Sequence, residues 1–464
     1  MKEVILTPLV KILKGKLKEE EILSLVEIPP KEFGDYSFPC FSLTKIFKKK
    51  PEIISQEIFN ELKSFDIPSI KKIEVKGAYI NFFIDEVFLF EKLLNETKKR
   101  KPFSLKKIKN KKIVIDFSSP NIAKPFGVGH LRSTIIGNSL ANIFSLLGYE
   151  VIRINYLGDW GTQFGKLILG YKKWGDEEKL KKNPKEHLLE LYIKANEEEY
   201  EKEARKEFEE LEKGNKKNID LWKKFREESI KEFNKIYEFL NVSFDEISGE
   251  SFYVKKAEEV IELLKKKNLL EESEGALIVN LEKFGLGVCL IKKSDGTTLY
   301  ATRDIAAAID RFEKYKFSKM IYEVGQEQKL HFKQVFKIIE LLGYSFYKDC
   351  YHVSHGLYLD KDGKKLSTRK GKTILMEDII NETISLAKER ISRREPNLSS
   401  QELEERAKKV ALAAIVYGDL KNYRENDMIF DIEKFLEFEG NTGPYLLYSY
   451  ARASSILKKV KNKF

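Results

Sequence analysis

Short apolar runs alternate with longer amphipathic stretches from residue 113 to residue 375. That rhythm predicts an α/β domain. IVIDF (113–117) reads as a buried strand. In HLRSTIIGNSLANIFSLLG, which follows, Leu131, Ile135, Ile136, Leu140, Ile143 and Leu147 recur at helical spacing, and Gly148 supplies a C-terminal stop. EVIRINYLG (150–158) reads as the next strand. Strand, helix and strand in that order make a parallel βαβ unit with a right-handed crossover. The rhythm resumes in ALIVNL, GVCLIK, the helix at DIAAAIDRF, the strand KMIYEVG, the helix KLHFKQVFKIIELLG and the strand YHVSHGLYL, closed by a DKDGK turn. Together these predict a doubly wound parallel sheet over 113–375.

The pattern changes on either side of this domain and once within it. From about 166 to 275 it becomes helical and highly charged, as in NEEEYEKEARKEFEELEKG, which predicts a solvated helical bundle inserted into the domain. Residues 1–105 read as a small α+β unit with a helical start, a loop at PPKEFGDYSFPC, a helix from Pro51 to Leu62 and the strands KKIEVKG and AYINFFID. The cationic run KKRKPFSLKKIKNKK (98–112) reads as a linker, so the central domain is bounded at 106–375. From Met376 to Phe464 the chain reads as helical.

Charge alters this picture modestly. The net charge is +11 and 34% of residues are charged, an excess carried mainly by lysine. It suits a solvated surface or a polyanionic partner. Cys40, Cys289 and Cys350 have no paired spacing, so a disulfide framework is not expected and a reducing, cytoplasmic location is. Pro8 and Lys11 interrupt the first apolar run, and no apolar stretch is long enough to cross a bilayer, so no membrane association is expected.

Two loops carry the candidate chemistry. SSPNIAKPFGVGHLRST (118–134) lies between a buried strand and a helix N-terminus, where free N–H groups and the positive dipole end suit a phosphate. Gly127 and Gly129 would let the backbone approach closely, and His130 would donate a hydrogen bond. The segment has neither the GxGxxG nor the GxxxxGK[ST] spacing, nor does GDWGTQFGK (158–166), so spacing alone leaves a nucleotide site and simple chain geometry equally open. The second loop, KKLSTRKGK (364–372), gathers Lys365, Arg369 and Lys370 with Ser367, Thr368 and Gly371. Such a cluster can neutralise a departing polyphosphate, although alone it reads as a basic surface loop. Cys350, His352 and His355 along one strand do not make a closed metal site, and no metal-ligating set is predicted.

Taken together, the two loops resemble the signature sequences of class I aminoacyl-tRNA synthetases. The first is similar to the HIGH region of arginyl-tRNA synthetases and KLSTRKG to their KMSKS loop. Further matches are YLGDWGTQFG (156–165), FDEISGES (244–251), SDGTTLYATRD (294–304), VGQEQKLHF (324–332) and NTGPYLLYSYARASSIL (441–457). The resemblance implies a Rossmann-like catalytic domain that joins L-arginine to ATP, releasing pyrophosphate, and then transfers the arginyl group to tRNA(Arg), with Mg²⁺ as counter-charge. It also implies that His130, Lys365, Ser367, Arg369 and Lys370 are catalytic. Pro120, Gly127, Gly129, His130, His331 and Lys365 would bind ATP; Asn121, Glu250, Tyr300, Asp304 and Gln328 would bind arginine.

The last set has a chemical check. A guanidinium needs carboxylates and an aromatic or hydroxyl wall, and Tyr300 and Asp304 stand one helical turn apart. Alone, Asp304 would read as a helix N-cap. By the same resemblance, residues 1–105 contact tRNA, and 441–457 begin a helical anticodon-binding domain. Because the sequence ends at Phe464, most of that domain is expected to be missing, leaving an apolar helix face exposed from Tyr445 to Leu457. A monomer is expected. Position 127 departs from the family pattern, with Gly where the HIGH-type sequence begins with His. Two alternatives stay open: a tRNA-binding paralogue with weakened catalysis, favoured by Gly127, and a class I synthetase for another amino acid, disfavoured by the Tyr300–Asp304 pair.

Overall fold

Five parallel strands organise the larger of two units in the computed structural model, which describes residues 2–98, 108, 111–122, 126–294, 298–366, 368–369 and 372–461. By their internal contacts the units are residues 1–105 and 106–464.

In the smaller unit, β1 (Tyr36–Pro39), β2 (Ile70–Lys76) and β3 (Tyr79–Ile84) form an antiparallel sheet with β3 in the centre. Its inner face, with Phe38, Ile80 and Phe82, packs on Ile5 and Leu9 of the helix Lys2–Ile12 and on Ile54 and Ile58 of the helix Pro51–Leu62. These elements follow the hydrophobic pattern, and Pro51 stands at the first turn of its helix, where its missing N–H costs nothing.

In the larger unit, β4 (Lys112–Asp116), β5 (Glu150–Leu157) and β6 (Glu246–Gly249) run outward in one direction. The chain then returns so that β10 (Lys319–Gly325) lies on the other side of β4, with β11 (Cys350–His355) beyond it. Successive β4 side chains serve two cores. Ile113, Ile115 and Phe117 pack with the helix Gly129–Leu146 and with helices after Met376, whereas Val114 packs under the helices Val254–Lys266, Tyr300–Tyr315 and Lys329–Leu342. Burial on both faces explains the continuous apolar runs. The reversal of strand order opens a crevice between the carboxyl ends of β4 and β10, the place where doubly wound sheets take ligands.

Four expectations need correction. The 166–275 stretch is not a separately solvated bundle: Leu167, Phe208, Phe225 and Phe233 join the main core, and β6 within the stretch is an edge strand of the sheet. ALIVNL and GVCLIK do not enter the parallel sheet. They form β8 (Ala276–Asn280) and β9 (Val288–Lys292), which pair antiparallel with each other and, through β8, with β7 (Glu271–Ser273). In β9, Cys289 and Ile291 are buried while Val288 and Leu290 are exposed, the alternation of a one-sided sheet. Ile143, expected on the buried face of its helix, is half exposed. Beyond Met376 the helices are interrupted by the short strand Met428–Ile429, which pairs with Tyr358–Leu359. Most of the 98–112 run lies outside the described residues.

Candidate active site at the carboxyl ends of the strands

Two consecutive non-glycine residues after β4, Ser118 and Ser119, have φ of 74° and 48°. Left-handed backbone is rarely adopted by such residues and persists only where neighbours enforce it. Here the Ser118 N–H donates to Ser133 Oγ at 2.9 Å and the Ser119 N–H to Asn155 Oδ1 at 3.2 Å. Ser133 Oγ in turn donates to the Glu323 carbonyl at 2.8 Å, tying the turn to β10. Beyond the turn, the Gly158 N–H donates to the Pro120 carbonyl at 3.1 Å and the Ile122 N–H to the Gly158 carbonyl at 3.1 Å. A Cβ on residue 158 would stand 2.0 Å from Asn121 Oδ1, so glycine is what permits this approach.

The helix Gly129–Leu146 starts without a side-chain cap. The His130 and Leu131 N–H groups donate to the Gly127 and Val128 carbonyls at 3.0 and 3.1 Å, and the positive dipole end of the helix stands at a cleft of about 310 Å³ lined by Ser119, Gly129, His130, Gln328, Tyr358 and Lys365 among others. A Cβ on Gly129 would meet no atom within 4 Å, so the backbone there is open to a ligand. Lys365 reaches the cleft on a hairpin closed by bonds from the Asp360 N–H to the Lys364 carbonyl and from the Leu366 N–H to the Tyr358 carbonyl, both 2.8 Å. Its Nζ lies 2.9 Å from Glu327 Oε1.

Pro120 and Gly127 are not among the lining residues. Gly127 is buried in a backbone bridge opposite Leu375, which fastens the first loop to the chain just after the second. Arg369 lies in a two-residue strand paired with Lys372–Thr373, while Ser367 and Lys370 lie outside the described residues.

A second group of side chains is assembled from three segments. Asp304 and Tyr300 start the helix Tyr300–Tyr315, whose N-cap is Leu299, so Asp304 is not a cap. His331, expected beside ATP, instead places Nε2 2.6 Å from Asp304 Oδ2, and its ring meets Tyr300 edge-on at 6.1 Å. Glu250, in the turn after β6, pairs through Oε2 with Arg303 Nη2 at 2.7 Å. Burial lifts the Glu250 carboxyl to about 7, with Arg303 opposing the rise and Asp304 adding to it. The turn is braced by fully buried Asp159, which accepts from the Ser251 N–H at 2.8 Å, from Ser251 Oγ at 2.9 Å and from Arg226 Nε at 2.9 Å. Phe332, next to His331, is core. The three strand residues weighed as metal ligands make other contacts: Cys350 Sγ donates to the Phe346 carbonyl at 3.5 Å, His352 Nε2 lies 3.0 Å from the Val324 carbonyl, and His355 Nδ1 lies 2.7 Å from Glu323 Oε1.

Residues 90–432 match the family described as tRNA synthetases class I (R), catalytic domain, and residues 1–84 match the arginyl tRNA synthetase N terminal domain. The chain belongs to the arginyl-tRNA synthetases. It is 48% identical over 461 residues to arginine–tRNA ligase 2 of Bacillus anthracis, covering 98% of this chain and 81% of that protein. With the arginine–tRNA ligase of Clostridium perfringens the identity is 47% over 455 residues, covering 96% and 80%. Among solved structures, arginyl-tRNA synthetase of Plasmodium falciparum aligns with a TM-score of 0.80 at 26% identity, covering 99% of this chain and 80% of that one. The Thermus thermophilus arginyl-tRNA synthetase, at 23% identity and a TM-score of 0.79, supports the fold.

As an arginyl-tRNA synthetase the chain is a ligase of the ATP-using class I type. No helix among its described residues is long and apolar enough to cross a membrane. Sequence reasoning missed Arg303, Asp159 and the buried pair Asp116–Arg311, whose Oδ2 and Nη1 are 2.7 Å apart beneath the site. The available signal was charge at places that should be apolar: Arg303 and Arg311 flank the AAAI run of a buried helix, and Asp116 ends a buried strand.

Proposed function

We propose that this chain activates L-arginine with ATP and esterifies the 3′ end of tRNA(Arg), using the cleft for the nucleotide and the Glu250–Asp304 group for the side chain. The observation that carries this reading is the meeting of Gly129, His130 and Lys365, from loops more than two hundred residues apart in sequence, around one cleft at the switch point of the sheet.

In the first step the arginine carboxylate oxygen attacks the α-phosphorus of ATP, a new P–O bond forms, and the bond to pyrophosphate breaks. No side-chain nucleophile is needed, so the chain contributes positioning and charge stabilisation. The open backbone at Gly129 and the positive dipole end of its helix receive phosphate oxygens, the His130 side chain donates to one of them, and Lys365 exchanges Glu327 for the departing pyrophosphate. Ser367, Arg369 and Lys370 belong to the same loop and extend that positive charge. Pro120 and Gly127 shape the loop from behind. Asn121 and Gln328 take the α-amino and carboxylate groups, and Asp304, Glu250 and Tyr300 take the guanidinium. In the second step a terminal ribose hydroxyl of the tRNA attacks the acyl carbon and AMP leaves.

Mg²⁺, when bound, supplies counter-charge to the phosphates. Of the two glutamates lining the cleft, Glu323 is held by His355 and Glu327 by the exposed Lys365, so Glu327 would be the carboxylate for the ion once Lys365 turns to the pyrophosphate. One carboxylate plus phosphates and water is a donor set that suits it. A monomer in the cytoplasm completes the reading.

The test is ATP–pyrophosphate exchange and aminoacylation across a panel of amino acids with tRNA(Arg) present. Arginine alone is expected to support both. Retained tRNA binding without exchange would favour a non-catalytic paralogue, and exchange with another amino acid would reject the guanidinium pocket.

A further inference from the structure

The carboxylate assigned to the substrate's guanidinium already holds a guanidinium of the protein. Arg303 Nη2 lies 2.7 Å from Glu250 Oε2, and its Nη1 donates to the Thr298 carbonyl at 2.8 Å and to Thr298 Oγ1 at 3.3 Å. The Arg303 side chain is only 7% exposed and that of Glu250 18%, so the pair is shielded from water. Arg303 also precedes Asp304 in sequence. One helical turn therefore presents a carboxylate to the pocket and a cation to the carboxylate in the turn after β6.

Two buried carboxylates at one site discourage each other's ionisation, and a neighbouring cation restores it. We propose that Arg303 is a positioning residue for arginine recognition: its contacts with Glu250 and Thr298 hold the Glu250 carboxylate in place and favour its ionised form, so that above neutral pH the pocket meets the incoming guanidinium with two negative charges. This rests on the reading of Glu250 and Asp304 as the arginine site.

The groups facing Glu250 are Arg303 and Asp304 from the helix Tyr300–Tyr315, Asp159 from the loop after β5, and Tyr156 on β5. Of these, Arg303 is the cation that opposes the effect of burial. A guanidinium substrate keeps its charge throughout the accessible pH range, so it binds better when Glu250 is ionised. Arginine KM should therefore rise as pH falls through about 7 in the parent protein, and Arg303→Met should move that midpoint upward.

The experiment is arginine-dependent ATP–pyrophosphate exchange with tRNA present, from about pH 6 to about pH 9, in the parent and in Arg303→Met, Arg303→Lys and Glu250→Gln. In the parent, arginine KM is expected to increase about tenfold between pH 8 and pH 6, as for one ionisation near neutrality. Arg303→Met should raise arginine KM about tenfold at neutral pH, with recovery at the alkaline end and ATP KM unmoved. Arg303→Lys should restore the parent midpoint, and Glu250→Gln should flatten the response. Equal changes in arginine and ATP KM in Arg303→Met, with the parent pH profile, would overturn the proposal. If Arg303→Met does not fold, Glu250→Gln decides: a flat profile supports the proposal and a retained pH response overturns it. A parent protein with tRNA-binding but no arginine-dependent exchange fails at the level of the site reading itself.

Discussion

The cleft proposed for the nucleotide and the pocket proposed for arginine adjoin the same sheet but are built on opposite plans. The cleft offers the positive dipole end of a helix without a side-chain cap, an open glycine and Lys365, a cation on an exposed hairpin. In the pocket the charged side chains are paired: Glu250 with Arg303, Asp304 with His331. The difference suits the ligands proposed for them. A polyphosphate brings its own excess of charge and can be met by dipoles and a mobile cation. A single guanidinium must be told from ammonium and from neutral side chains, which takes carboxylates fixed in place, and fixing partly buried carboxylates requires internal cations.

If the two regions work independently, removing a cleft cation should affect turnover and removing a pocket carboxylate should affect arginine binding. Lys365→Ala is the strongest probe. Loss of one donor that stabilises charge developing in the transition state costs about 10²–10³ in rate, so kcat for exchange should fall by about that factor with arginine KM unchanged. Thermal stability should stay at the parent value, because the Lys365–Glu327 pair is about half exposed and such pairs contribute little. A matching rise in arginine KM would show that the regions are coupled. Asp304→Asn is the reciprocal probe. Replacing a charge-assisted bond by a neutral one forfeits roughly 1.5–3 kcal/mol, so arginine KM should rise by about 10- to 100-fold while ATP KM stays within twofold. Equal shifts in both constants would remove Asp304 from the guanidinium site.

The cleft was legible in the sequence because each of its parts is a contiguous motif. A strand, a glycine-bearing turn and a helix start follow one another from 113 to 134, and although spacing left the first loop open and the cationic loop alone read as basic surface, the two intact motifs together carried the family resemblance. The pocket was legible only in part. Tyr300 and Asp304 are one helical turn apart, so local spacing supported them once the family resemblance had named them, although Asp304 alone read as a helix cap. Glu250 came only from resemblance to the family, because it meets Arg303 across 53 residues, from the turn after β6 to the helix Tyr300–Tyr315, which no local pattern encodes. The strained Ser118–Ser119 turn was invisible for the same reason: the side chains that enforce it, Ser133 and Asn155, come from the next helix and the next strand. Strand β6 was lost inside a charged helical stretch because it is short and lies at the sheet edge, where Glu246 remains partly exposed.

His331 is where the two readings divide, and it gives the smallest and sharpest test. Its place in the family motif assigned it to ATP, whereas the 2.6 Å approach to Asp304 and the ring contact with Tyr300 join it to residues proposed for arginine. A hydrogen bond that orients a carboxylate already fixed by its helix contributes only about 1 kcal/mol, so His331→Ala should raise arginine KM by about three- to tenfold. ATP KM should not move. The opposite split, with ATP affected and arginine not, would return His331 to the nucleotide and leave Asp304 oriented by its helix alone. The double variant His331→Ala/Asp304→Asn carries the argument further. If His331 acts only through Asp304, its loss should cost nothing more once the carboxylate is gone, and the two effects on arginine KM should fall short of their product.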